Sequence, residues 1–415
     1  MTQQFDRIAA FVLGDIDVPD RCMQMASTLL LDTVGVAAGA VDLPPAQIAR
    51  NHAAGYMAAG PGALHAPMMF DGRQVGLPGA CFAGATQIDN LDGHDGYNPT
   101  KGHIGCAVVP ALLAFAQQRP DLTGRDALQA LAMSYEVAAC AGIALHDTVR
   151  DYHTSGAWNG LGVAALGARL LSCDADQLRQ AFGIAEYHGP RSQMMREIAN
   201  PTMLHDGSGM GALTGAMALM LARDGFTGAP AMTAEAPEVA HIWAGLGRDW
   251  TVDLNYIKPY PICRWAHAAV DALAGLDLSD HTVAHVQVRT FAQAAALYPD
   301  MPQTTSQAQY SLRFALATYL VFGTIGPQHI ADSALGQPEV ADMMAKIDIV
   351  EDACHSDRFP AGRWSDVQVT LADGSVRHSG DTHARGGPEA PMQDSEIEAK
   401  FHGMAEHALG QNRTR

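Results

Sequence analysis

The stretch from Asn90 to His103, NLDGHDGYNPTKGH, places Asp92, His94, Asp95, Lys101 and His103 on one glycine-punctuated loop. A carboxylate beside an imidazole sets its tautomer and raises its basicity, as proton transfer near neutral pH requires. Apolar runs flank the loop on both sides, and catalytic groups concentrate on loops held by such scaffolds. Asp92 and His103 are therefore candidate acid–base residues, and His94 and Lys101 candidate substrate contacts. The plainer reading is a solvated polar loop. The Asp/His alternation also matches an oxygen and nitrogen donor set for a divalent ion. No HExxH spacing, clustered cysteine or dinucleotide fingerprint accompanies it, so neither a metal nor an organic cofactor is expected.

Three further segments carry groups of the same kind. His153, in RDYHTSG at 150–156, precedes an apolar helical pattern. The positive end of a helix there would favour a neutral imidazole and a bound anion. The segments YHGPRSQMMR at 187–196 and PTMLHDGSGMG at 201–211 supply Arg191, Arg196 and His205 around a glycine-rich helix entry. Such an entry cradles anions, and arginines clamp carboxylates bidentately. YIKPYPICRWAH at 256–267 brings Lys258 and Arg264 to the point where the chain changes character, and small-molecule sites favour such junctions. Each segment also has a purely structural reading, as an interhelical turn or a hinge.

The elements that must position these groups are mostly helical. Apolar residues recur at helical spacing over 4–13, 21–38, 77–89, 107–117, 124–146, 157–171, 175–187 and 209–223. Gly35, Ala38 and Gly39 make one helix end small enough for close packing, with Gly39 as its stop signal. Past Asp253 the pattern alternates as strands do, over 285–290, 346–350 and 366–371. The last of these runs into an ADGS hairpin turn and a return strand at 376–378. Helical patterns at 264–274, 306–321 and 330–335 lie between. The pattern predicts a mostly α fold: a helical body over 1–254 and a smaller α+β lid over 255–391. A final helix, capped by Asp394 or Ser395, is expected to fold back on the body from 392–415.

Bulk properties narrow the function class. With 415 residues, 48% of them hydrophobic, the chain can bury a large core in more than one domain. A formal net charge of −18 and the lack of any basic run exclude a nucleic-acid binder. An anionic substrate would need local Lys, Arg and His to overcome that field. The seven cysteines never form a CxxC pair, so free buried thiols are expected rather than disulfides or metal knuckles. No uninterrupted apolar window approaches a membrane span and the first residues lack a leader pattern. Those features give the expectation of a cytoplasmic protein without membrane or nucleic-acid partners.

Taken together, the segments resemble the MmgE/PrpD family, which includes 2-methylcitrate dehydratases, cis-aconitate decarboxylases and an iminodisuccinate epimerase. The resemblance rests on the LDxxD…GH loop at 91–103, His153, the glycine-rich entry at 205–211 and KPYPxCRWxH at 258–267. It continues through AQYSL at 308–312, TLADG at 370–374 and EAKF at 398–401. It implies a homodimer with a site between helical body and lid. It implies catalytic roles for Asp92, His103, His153 and Lys258, and a substrate contact at Tyr310. Arg191, Arg264 and His205 are expected to bind carboxylates. Dehydratase and decarboxylase members often carry a threonine where Gly96 stands and a lysine near Thr202 and His205, and one residue is inserted between Asp92 and His103. The implied activity is a cofactor-independent lyase acting on a small di- or tricarboxylate. The alternatives are an epimerase or isomerase, a metal-dependent hydratase, or a non-catalytic carboxylate binder.

Overall fold

The computed structural model describes residues 2–278 and 281–410; positions 411–415 of the predicted closing helix lie outside the described residues. The body is built from α1 (Gln3–Leu13), α2 (Asp20–Gly39), α3 (Pro44–Tyr56), α4 (Leu77–Asp89) and α5 (Gly105–Ala116). It continues with α6 (Gly124–Thr148), α7 (Asn159–Leu170), α8 (Ala175–His188), α9 (Met194–Ala199) and α10 (Ser208–Arg223). Local chemistry starts several of them. Thr2 caps α1 by accepting from the Phe5 N–H, and Thr123 with Asp126, and Asp174 with Gln177, form reciprocal capping boxes on α6 and α8. Helix α10 packs against α4, α7 and α8, and α6 against α7, through alanine- and glycine-rich faces.

The final helix, Asp394–Leu409, packs on α2. Gly35 makes this possible: a Cβ there would stand 2.9 Å from Phe401 Cδ2 and 3.3 Å from its Cα. Lys400, on the same helix, donates to Asp32 Oδ1 at 2.6 Å and to the Gly93 carbonyl at 2.7 Å. The last helix thereby holds the loop that carries the candidate acid–base residues. Its N-cap is Gln393, one residue before the expected Asp394, because Gln393 and Glu396 close the capping box.

Past residue 282 the strands β3 (Val283–Thr290), β4 (Ile347–Glu351), β5 (Trp364–Leu371), β6 (Val376–His378) and β7 (Thr382–His383) form one sheet of order β4-β3-β5-β6, with β7 also on β5. β3 runs parallel to β4 and antiparallel to β5, with Val288 opposite Ile349 and Val367. Val286, Val288 and Thr290 face inward while Gln287 and Arg289 face outward, the alternation of a half-covered sheet. The helix Arg264–Ala274 lies on the covered face against β5.

The predicted helix over 306–321 is two helices, Thr305–Gln309 and Leu312–Phe322. Ser311 breaks the run because its hydroxyl caps the second helix, accepting from the Phe314 N–H at 3.2 Å. The pattern at 330–335 is a short helix at Pro327–Ile330 followed by a 3₁₀ turn. Two elements carried no strong periodicity: α3, and the hairpin of β1 (His65–Pro67) with β2 (Gln74–Gly76). Among the described residues one helix, α6, is long and apolar enough to cross a membrane, but 83% of its apolar window is buried in the protein interior. It is the core helix of the body.

Candidate active site

The loop after α4 meets the start of the lid region edge to edge. Gly96 and Tyr256 exchange main-chain hydrogen bonds of 3.1 and 2.8 Å, an isolated antiparallel bridge. This seam brings Lys258 to Asp92. The Lys258 ammonium, fully buried, donates to Asp92 Oδ1 and, at 3.0 Å, to the Asp92 carbonyl. Burial lowers the Lys258 pKa, but Asp92 and Tyr256 outweigh it and hold the amine above its usual value. Asp92 adopts φ +55, Lys101 φ +53 and His205 φ +44. Among the described residues, three of the five non-glycine residues in this left-handed region thus fall in the segments singled out by sequence, and backbone strain of this kind gathers at functional sites.

His103 Nδ1 lies 2.6 Å from the Asp95 carbonyl. A carbonyl only accepts, so the proton sits on Nδ1 and the neutral ring presents Nε2 as its basic atom. Nε2 is 3.5 Å from Asp206 Oδ2, and Asp206 Oδ1 is held by the Ser155 N–H at 3.1 Å and hydroxyl at 2.7 Å. Burial and the Lys258 charge push the His103 pKa below the usual value, against Asp206 and Asp92, which favour the cation. The imidazole is therefore neutral at pH 7, in the state a general base needs.

Four cationic side chains, Lys101, Lys258, Arg264 and Arg363, line the same cavity as His103, against two carboxylates, Asp92 and Asp206. Arg264 is anchored by the carbonyls of Arg385 and Ala384 at 2.6 and 2.9 Å, and Arg363 by that of Pro360 at 2.6 Å. Each guanidinium keeps a buried Nε–H without a partner among the described residues. Burial lowers Arg264 to about 10, with the Arg363 charge adding to the fall, and burial also lowers Arg363. Buried, under-satisfied guanidinium groups are what a carboxylate ligand would satisfy. The space enclosed is only about 20 Å³, the room of a water molecule. As it stands the cavity has no room for a molecule larger than water.

Asp92, Lys101, His103, Lys258, Arg264 and Tyr310 all line this cavity. Four other predicted residues stand elsewhere. His94 is fully buried behind His103, ring centroids 4.5 Å apart, with Nε2 3.5 Å from Asp89. His153 pairs with Ser192 through Nδ1 at 3.2 Å, and a 3₁₀ turn at Ser155–Ala157 separates it from the start of α7. It is not at that helix's N-terminus as expected. Arg191 is exposed. His205 lines an adjoining cavity of about 410 Å³ with Thr154, Arg196 and Glu197. The wall between the two cavities includes Tyr310, whose hydroxyl donates to Glu197 at 2.5 Å. A larger cavity of about 710 Å³ lies between α10 and residues 57–64, away from the histidines, so size does not locate the site.

Sequence reading passed over Asp206, Tyr256, Tyr152 and Arg363. Asp206 adjoins His205 in the glycine-rich entry, and Tyr256 precedes Lys258 by two, the spacing that puts both on one side of an extended segment. Arg363, isolated before β5, carried no local signal. Ligand atoms of Asp92, His94 and His103 lie within 4.8 Å of one another, as do those of Asp89, His94 and Cys106. The first set could hold an ion, but its Asp92 already has the Lys258 ammonium as counter-charge.

Models of two domains match the chain: the MmgE/PrpD N-terminal domain over residues 7–245 and the MmgE/PrpD C-terminal domain over residues 260–415. No curated protein matches it.

Proposed function

The chain belongs to the MmgE/PrpD family, and from that premise we propose that it is a cofactor-independent lyase of a small di- or tricarboxylate. The observation that carries this reading is His103, locked by the Asp95 carbonyl so that its basic Nε2 stands in a cavity lined by Lys258, Arg264 and Arg363. Removing a proton or a carboxyl group next to a carboxylate builds negative charge in the transition state. Preorganised cations in a water-poor cavity stabilise that charge. His103 moves the proton, Asp206 faces its Nε2 and supports the imidazolium, and Asp92 holds Lys258 in place. Lys258, Arg264 and Arg363 bind substrate carboxylates, with Lys101 at the rim.

Proton NMR of the protein in deuterated water with a panel of polycarboxylates tests this. Vinylic signals support a lyase. Deuterium uptake without net conversion identifies an epimerase or isomerase instead, and binding without change a non-catalytic carboxylate binder.

A homodimer is part of the same proposal. Tyr187, Met203, Leu204, Met210 and Met217 are exposed large apolar residues on and around α10, with Leu204 at 79% exposure. Large apolar side chains left in solvent in such number are consistent with an association surface. Light scattering on the eluting protein reads the mass directly, and a monomer of 43.9 kDa would refute it.

A further inference from the structure

Tyr256 has no role in the chemistry proposed so far, yet the residue is buried and lines the cavity with His103. Its main-chain N–H and C=O are spent on Gly96. One ring face carries the Arg264 guanidinium, 4.1 Å from the centroid. The ring meets His103 edge-on, with centroids 6.4 Å apart and planes at 84°. Gly96 leaves room for the hydroxyl: a Cβ there would overlap Oη and Cζ of Tyr256 and stand 3.0 Å from His103 Nδ1. A side chain at 96 and the phenol at 256 therefore exclude each other. Burial raises the phenol pKa, whereas Lys258, Arg264 and Arg363 all favour the phenolate.

We propose that Tyr256 is a catalytic residue: within the loss of water from a β-hydroxy polycarboxylate that MmgE/PrpD dehydratases carry out, it is the acid that protonates the departing hydroxyl. The proposal rests on the lyase reading and narrows it to loss of water. His103 Nε2 takes the proton from the carbon next to a carboxylate, and the C–H electron pair is held as the enolate facing Lys258 and the arginines. That pair then forms the C=C bond as the C–O bond breaks. The oxygen keeps the C–O pair, accepts the Tyr256 proton and leaves as water. The phenolate and imidazolium that remain are reset by one proton passing from His103 to Tyr256 through solvent. The products are water and an unsaturated polycarboxylate, with no change in oxidation state of the protein.

Tyr256→Phe removes one oxygen and keeps the platform for Arg264. Wild type, Tyr256→Phe and His103→Gln are each incubated with malate, citrate and 2-methylcitrate in deuterated water and followed by proton NMR, with melting temperature as the fold control. In the expected result wild type forms a vinylic product from at least one acid. Tyr256→Phe loses at least ~10²-fold in elimination, the worth of a general acid, but still exchanges the carbon-bound hydrogen. His103→Gln loses both. Tyr256→His, which retains a proton donor, should recover part of the elimination and carries the test if the phenylalanine variant does not fold. Elimination at the wild-type rate in Tyr256→Phe, loss of exchange together with elimination, or no gain in Tyr256→His where Tyr256→Phe has lost elimination overturns the Tyr256 assignment and leaves the lyase reading standing. Wild type that eliminates water from none of the three overturns the proposal, and deuterium exchange or inversion without elimination shows that the lyase reading has failed with it.

Discussion

Replacing Lys258 with methionine tests the joint between the two parts of the cavity. Methionine keeps an unbranched apolar stem of similar length and removes the ammonium. Asp92 would then be left at 3% side-chain exposure without a counter-charge, and its Oδ2 has no hydrogen-bond partner among the described residues even now. Breaking a buried ion pair from one side costs about 3–5 kcal/mol. At ~2.1 cal/mol/K per residue, 415 residues unfolding as one unit give an entropy near 0.9 kcal/mol/K. Dividing one by the other predicts a fall in Tm of about 3–6 °C. Asp92→Asn in the Lys258→Met background removes the stranded carboxylate as well, so the double variant should regain most of that loss, a coupling measured by a double-mutant cycle. Calorimetry or circular dichroism reads the melting; turnover should stay low in both variants, because the cation is gone. A single variant within ~1 kcal/mol of wild type, or strictly additive losses in the double, would refute the reasoning.

Four other outcomes are expected. His103→Gln should lose at least ~10²-fold in turnover with little change in Tm, and the acid limb of wild-type kcat/KM should lie below the free-histidine value of about 6.5. Arg363→Met should raise KM by roughly 10–150-fold, the equivalent of ~1.5–3 kcal/mol for a charged hydrogen bond, with a smaller effect on kcat. Dialysis against EDTA should leave turnover unchanged, since Lys258 already balances Asp92; activity abolished by EDTA and restored by a divalent ion would favour the metal reading of the loop. Glu136, buried, accepts from the N–H groups of Thr251 and Val252 at 2.7 Å, but burial still lifts its pKa from 4.5 to about 7. A pKa raised on folding means stability is fully present below about 4.5 and lost as pH rises to about 7. Urea midpoints across that window should therefore fall less steeply in Glu136→Gln than in wild type.

Much of the body was legible because α6, α7 and α10 repeat small and apolar residues at helical spacing over many turns. β3 and β5 were legible because Val286, Val288, Val367 and Val369 alternate with polar neighbours. The 90–103 loop stood out because so many titratable groups sit between apolar runs. Its pairing with Lys258, 166 positions away, was legible only through the family resemblance. Periodicity assigns a face to a residue, not the partner that face will meet. That is why His153, read as catalytic, and His205, read as a carboxylate contact, were grouped with His103 in one site, yet one turns toward Ser192 and the other into the adjoining cavity. Arg363 reaches the cavity from the position just before β5, and no pattern within several residues of it announces that. Ser311 was overridden by the apolar residues around it, although its side chain ends one helix and starts the next.

The bond from Lys400 to the Gly93 carbonyl spans 307 positions, and it orders events during synthesis. At ~5–20 residues per second, the ribosome delivers Lys400 about 15–60 s after Gly93. For that interval Asp32 lies in a forming interior without its cation, and the acid–base loop is fastened on one side only. Helices α4 to α10 can assemble meanwhile, because their contacts are with one another. On the proposed function, a nascent chain folded through α10 is expected to be inert until the helix Asp394–Leu409 has emerged. Release of product-forming activity from stalled ribosomes should track the emergence of residue 400 rather than completion of the helical body.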